Sequence, residues 1–170
     1  SQHVIKSSLY GARSVFAADV DGDGDMDVLT ASISDDNKIA WYENDGNEVF
    51  TPHTISTTAD GAFSVFAADV DGDGLWDVFH PSDGRNFLYM ATEAGTFKEE
   101  AGSRGLIGPD MGTGAVFFDF DNDGDQDLFV AHEGWTGEDG SVMGETAKLY
   151  LNDGRGVFEV VTKDIGLGVP

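Results

Sequence analysis

A chain of 170 residues with 40% hydrophobic and 11% aromatic content carries enough apolar side chain to bury a core, which excludes disorder. Its 32 acidic against 9 basic residues give a formal net charge of −23, so nucleic acid and anionic membranes are excluded as partners by repulsion and a cation is favoured. The absence of Cys excludes disulfides and thiolate metal sites, and no apolar run approaches the ~18 residues of a membrane span.

Residues 1–9 take their meaning from a segment 50 residues downstream. The N-terminal "HVIKSSLYGARSVF" aligns at that offset with "HTISTTADGAFSVF", so residues 1–9 are expected to be the outer strand of a preceding unit. The chain begins at Ser1 without an initiator Met or a signal-like segment, which fits a processed or excised piece. Residues 10–59 form the first full unit. An apolar run at 15–18 leads into "DVDGDGDMD", and a second run at 28–29 leaves it, which predicts a hairpin of short strands. A second hairpin lies in "KIAWYENDGNEVFTPHTI", turned by Asn44-Asp45-Gly46.

Residues 60–109 repeat the plan, with "DVDGDGLWD" between apolar runs at 65–68 and 78–79, then a weaker hairpin in "NFLYMATEAGTFKEE". Residues 110–170 repeat it again, with "DFDNDGDQD" between 115–118 and 128–131, and Asn152-Asp153-Gly154 turning "KLYLNDGRGVFEVV". Phe50, Phe97 and Phe158 recur after the second turn and are expected as one core aromatic per unit. Four antiparallel strands in about 50 residues is the size of a β-propeller blade, and no segment has helical periodicity with caps. The expected fold is therefore all-β: three full blades plus one strand of a preceding blade, within a larger ring. Three blades cannot close a ring, so further blades of a parent chain or a second copy are expected to complete it.

The aspartate loops begin at Asp19, Asp69 and Asp119, a spacing of 50. Counting from those residues, carboxylates occupy positions 1, 3, 5 and 9: Asp19, Asp21, Asp23 and Asp27; Asp69, Asp71, Asp73 and Asp77; Asp119, Asp121, Asp123 and Asp127. Gly24, Gly74 and Gly124 at position 6 permit the sharp turn that brings position 9 round. Position 7 is Asp25, Leu75 and Asp125, a change of chemistry expected where only the backbone carbonyl is used. Four clustered carboxylates repel unless a hard cation neutralises them, and an all-oxygen set suits Ca²⁺ better than Mg²⁺ or Zn²⁺. An EF-hand would need a Glu at position 12, where Thr30, His80 and Val130 stand, and helices rather than strands on either side. Trp76-Asp77 is no WD40 signature, because Asp77 aligns with Asp27 and Asp127.

These residues resemble the FG-GAP/VCBS repeat family, whose best-known members form the seven-bladed propeller of integrin alpha subunits. The resemblance covers nearly the whole chain. It implies one Ca²⁺ per repeat, held by the four carboxylates and the position-7 carbonyl of Asp25, Leu75 or Asp125. The literal FG and GAP motifs are missing, which points to the bacterial-type branch and away from integrin ligand binding. The family also implies an extracellular, secreted, cell-surface or periplasmic setting.

Both turns of each unit fall at one end of the blade, so a partner is expected on the other. There "HEGWTGEDGSVMGETA" in the third unit is about eight residues longer than its counterpart in the first, and its Trp135 is a candidate for stacking on a sugar or anchoring a protein. No nucleophile signature, phosphate loop or HExxH appears; His132-Glu133 lacks a second ligand, and His3 and His53 align as structural strand positions. A protein- or glycan-binding adhesion module is thus expected. The alternative is a non-catalytic propeller scaffold of a larger secreted lyase or hydrolase.

Overall fold

In a computed structural model the chain is described over residues 4–5, 10–33, 37–59, 61–82, 84–93, 95–108, 112–132, 134–136, 142–144 and 147–161. The expected outer strand at 1–9 therefore lies, apart from Val4 and Ile5, outside the described residues. Among the described residues, fourteen strands and a single 3-10 turn make up the regular structure. They form three antiparallel four-stranded sheets, each running in chain order. The first holds β1 (Ala12–Ala18), β2 (Asp27–Ser32), β3 (Lys38–Asn44) and β4 (Phe50–Ser56). The second holds β5 (Phe66–Ala68), β6 (Asp77–His80), β7 (Phe87–Glu93) and β8 (Thr96–Glu99). The third holds β9 (Gly112–Phe118), β10 (Asp127–His132), β13 (Lys148–Asn152) and β14 (Phe158–Val160). The long connection of the third sheet folds into a ribbon of its own, β11 (Gly134–Thr136) paired with β12 (Val142–Gly144). The fold is all-β with propeller-like blades, as the sequence predicts.

The sheets stack face to face. One apolar cluster joins the first two, with Leu29, Ile39 and Trp41 meeting Val65, Val78, Phe87 and Tyr89. A second joins the last two, with Val70, Phe79, Leu88 and Met90 meeting Leu128, Val130, Tyr150 and Phe158. Central strands buried on both faces explain why β6 and the first five residues of β7 are buried without alternation.

The repeated phenylalanines do not share one environment. Phe158 is buried in the second cluster, Phe97 packs partly buried against the first, and Phe50 is half-buried at the start of β4. The cause is the 3-10 turn Ala101–Arg104, which contributes Ala101 to the cluster that covers Phe158. Gly105 ends that turn at φ +86°, and a Cβ there would run into the Phe158 carbonyl. Only glycine fits.

Among the described residues, the third sheet leaves one face open. Ala18 and Ala68 are 0% and 6% exposed, while Phe118, 50 residues after Ala68, is 36% exposed; Val20 and Val70 are 1% and 2% exposed, against 39% for Phe120. Positions that seal the first two seams thus face outward on the third blade.

Leu88 is fully buried at the centre of the second cluster, so Leu88→Ala is expected to destabilise the chain by about 2–5 kcal/mol in urea unfolding. Val157→Ala, at a 45% exposed position, should cost under about 0.5 kcal/mol.

Candidate metal centres

Each aspartate loop joins the first and second strands of its sheet, and the aspartate at position 9 opens the second strand. Asp27, Asp77 and Asp127 are 0%, 1% and 0% exposed. The two oxygens of each accept backbone N–H groups from different segments. Asp27 accepts from Val20 in its own loop and from Asn44 at the end of β3, both at 2.8 Å. Asp77 accepts from Val70 at 3.1 Å and Ala91 at 2.8 Å, and Asp127 from Phe120 at 2.8 Å and Asn152 at 2.9 Å. This carboxylate is therefore a staple between loop, second strand and third strand.

The remaining loop is shaped by its own side chains. Position 1 accepts the position-6 N–H, with Gly24 to Asp19 at 3.0 Å, Gly74 to Asp69 at 2.9 Å and Gly124 to Asp119 at 3.3 Å. Position 5 accepts the position-7 N–H, with Asp25 to Asp23 at 2.8 Å, Leu75 to Asp73 at 2.8 Å and Asp125 to Asp123 at 3.0 Å. Position 4 is left-handed in all three loops, with Gly22 at φ +77°, Gly72 at +75° and Asn122 at +65°. Asn is one of the few residues that tolerates that region, so the third loop's departure from glycine preserves the turn.

The result gathers three of the four expected carboxylates. Oxygens of Asp19, Asp21 and Asp27 lie within 4.8 Å of one another, as do those of Asp69, Asp71 and Asp77, and those of Asp119, Asp121 and Asp127. Asp23, Asp73 and Asp123 stand outside these groups, each with an oxygen turned to its own backbone. The side chain of Asp25 points at the second turn, close to Gly46, and Asp125 meets Gly154 in the same way. A Cβ at Gly154 would come within 2.5 Å of the Asp125 carboxylate. The two turns of a blade thus share one end, as the sequence predicts. Leu75 takes the same loop position without a carboxylate.

These groups fit a hard divalent cation. Asp19 Oδ1 and Asp71 Oδ1 are buried without any hydrogen-bond partner, which is costly for an anionic oxygen unless a cation meets it. The donors are all oxygen, as Ca²⁺ requires. Asp19, Asp21, Asp27 and their counterparts would hold it, with the second oxygens of Asp23, Asp73 and Asp123 and the position-7 carbonyls of Asp25, Leu75 and Asp125 also within the loop.

Sequence patterns alone do not reveal the reach of Asn152 to the second loop. Its Nδ2 donates to Val70 O at 2.7 Å and to Gln126 O at 3.1 Å, tying the second loop to the third. Its Oδ1 accepts from Gly154 and Gly156, closing the neighbouring turn. The local signal, an Asn-Asp-Gly turn, explains only the last of these. His53, expected to be structural, stacks on Trp41 with ring centroids 4.5 Å apart and pairs with Glu43 at 2.6 Å. Of Trp135 only the backbone is described, paired with Met143 in the β11–β12 ribbon; its side chain lies outside the described residues, as does His3.

Burial pushes Asp77 up to about 7 despite its two backbone N–H donors, with Asp71 and Asp73 adding to the rise. Burial likewise raises Asp27, Asp21 and Asp71. A carboxyl raised in the folded state stabilises the fold below its unfolded value, near 3.8, and that contribution is lost as pH rises through the folded value. In chelator, the chain is therefore expected to melt at a higher temperature at pH 6 than at pH 8. Saturating Ca²⁺ should flatten this dependence, because a bound cation holds the carboxylates ionised. Differential scanning fluorimetry across that range measures both.

The FG-GAP-like repeat model matches residues 19–80 and again 69–130, two overlapping copies that together span more than half of the chain. A comparison with curated protein sequences found no match. Among solved structures, the chain is similar to one described as the structural basis of specific recognition of non-reducing terminal N-acetylglucosamine by an Agrocybe aegerita lectin. The match has a TM-score of 0.50 at 19% identity and covers 86% of this chain and 50% of the lectin, so the chain spans half the length of that structure. The likeness concerns the fold. With repeated loops, four-stranded blades and the family match in agreement, the chain belongs to the FG-GAP-like repeat family.

Proposed function

We propose that this chain is a calcium-stabilised, non-catalytic binding module of an extracellular protein, recognising a glycan or protein through the blade ends opposite the aspartate loops. The observation that carries the calcium assignment is the threefold recurrence of three converging carboxylates, two of the groups with a buried oxygen that no protein group meets. Extracellular calcium modules commonly have Kd of about 10⁻⁴ to 10⁻³ M. At about 1 mM Ca²⁺ and the tighter limit, each site would stabilise the fold by roughly 1.4 kcal/mol.

Topology supports a binding end opposite the aspartate loops. The β11–β12 ribbon joins the second and third strands of the third blade, so it emerges away from the loops at 19–27, 69–77 and 119–127. Trp135 sits on its first strand. A glycan is the first ligand to test, since a lectin with this fold recognises terminal N-acetylglucosamine. The half-exposed Phe118 and Phe120 support a further blade, from a parent chain or a second copy, packed on the open face of the third sheet.

Thermal melts in 1 mM Ca²⁺ and in chelator should differ by several degrees, and an unchanged midpoint would sink the calcium assignment. A glycan array probed in Ca²⁺ is expected to give binding that Trp135→Ala abolishes. An array silent for the wild-type chain would favour a protein ligand.

A further inference from the structure

The three loops are not electrostatically alike. Loops one and three each carry five aspartates in nine residues, Asp19 to Asp27 and Asp119 to Asp127, a formal charge of −5. Loop two carries four, because Leu75 replaces the aspartate at position 7. It also meets a cation. Arg104 Nη2 lies 3.6 Å from Asp71 Oδ2, with the arginine side chain 18% exposed, which brings the loop and its partner to −3. Among the described residues this is the only ion pair between a basic side chain and a loop carboxylate. Loop one faces the opposite influence, since Glu43 adds to the negative field at Asp21, whereas Met90 fills the corresponding strand position in the second blade.

Arg104 is held in place rather than merely near. Its Nε donates to Glu100 Oε2 at 2.9 Å and its Nη1 to the Arg155 carbonyl at 2.7 Å. A Cβ on Gly156 would come within 2.6 Å of Arg104 Nη1 and 3.2 Å of Val70, so the guanidinium fills a slot between the second loop and the third blade's turn. Asp71 Oδ2 faces this cation while Oδ1 stays buried and unpartnered. One oxygen faces a resident positive charge and the other is left for an ion.

We propose that Arg104 is a tethered cation that makes the second loop the weakest of three calcium sites. It supplies part of the ion's charge in advance and holds the loop to the third blade before any ion binds. Loop affinity for Ca²⁺ rises with the negative charge in and around the site, and both differences in loop two, Leu75 and Arg104, lower that charge. The proposal rests on calcium being the cation of these loops.

Calorimetric titration of Ca²⁺ into the metal-free full chain tests it. The second loop is followed separately by tryptophan-sensitised Tb³⁺ emission, since Trp76 stands beside Asp77 where loops one and three have Met26 and Gln126. The wild-type chain is expected to show two tighter sites and one weaker, the weaker being the one that Trp76 reports. Arg104→Gln should tighten that site by about 3- to 10-fold and leave the others unchanged. Arg104→Lys, which keeps the charge, should not tighten it. Leu75→Asp should tighten the same site without touching Arg104, and so keeps the test decisive should Arg104→Gln fail to fold. Three equal sites, or variants that leave the Trp76-reported site unchanged or weaker, would overturn the proposal while calcium binding stands. A wild-type chain that takes up no calcium would overturn the calcium assignment and the proposal together.

Discussion

A carboxylate buried at the head of each second strand organises everything around it. Asp27, Asp77 and Asp127 each receive two backbone N–H groups from segments 7 residues back and 14 to 25 residues on. Those hydrogen bonds fix where the loop begins to curl and, in the first and third blades, where the third strand stops, so strand register and loop shape are set by one side chain. Full burial of an anion opposes this arrangement, and the neighbouring aspartates deepen the cost. The loop is therefore shaped for a cation by the same residue that shapes the blade, which makes metal affinity and blade geometry two aspects of one constraint.

Between blades the work is divided. Apolar clusters fill the middle of each seam and polar contacts tie its ends: at the loop end Asn152 and Arg104 link the second loop to the third blade, and at the other end Ser64 Oγ donates to the Thr113 carbonyl. Such contacts are few, but each satisfies a backbone carbonyl of the neighbouring blade.

The sequence was most legible where structure is local and repeated. Period, strand alternation, loop glycines and the clustering of carboxylates at positions 1, 3 and 9 all follow from short-range geometry, which a repeat states three times over. At position 5 the spacing suits a ligand, and the fold adds that Asp23, Asp73 and Asp123 each also turn one oxygen to the backbone two residues ahead. Phe50, Phe97 and Phe158 look equivalent in sequence, yet their burial depends on whether a neighbouring element such as the 3-10 turn reaches over them. The cross-blade contacts of Arg104 and Asn152 escape the sequence for the same reason: their partners at Arg155 and Val70 are 51 and 82 residues away, and no local pattern encodes a contact at that distance.

The exchange of Asn for Ala at one turn has a mechanical consequence. Ala91 occupies the strand position that Asn44 and Asn152 hold in the other two blades, as its N–H donation to Asp77 demonstrates. An alanine has no amide with which to reach back to the first loop. The row of blades is thus strapped at its rim between the second and third members and lacks that strap between the first and second, so a shearing load applied along the rim would meet its least resistance at the earlier seam.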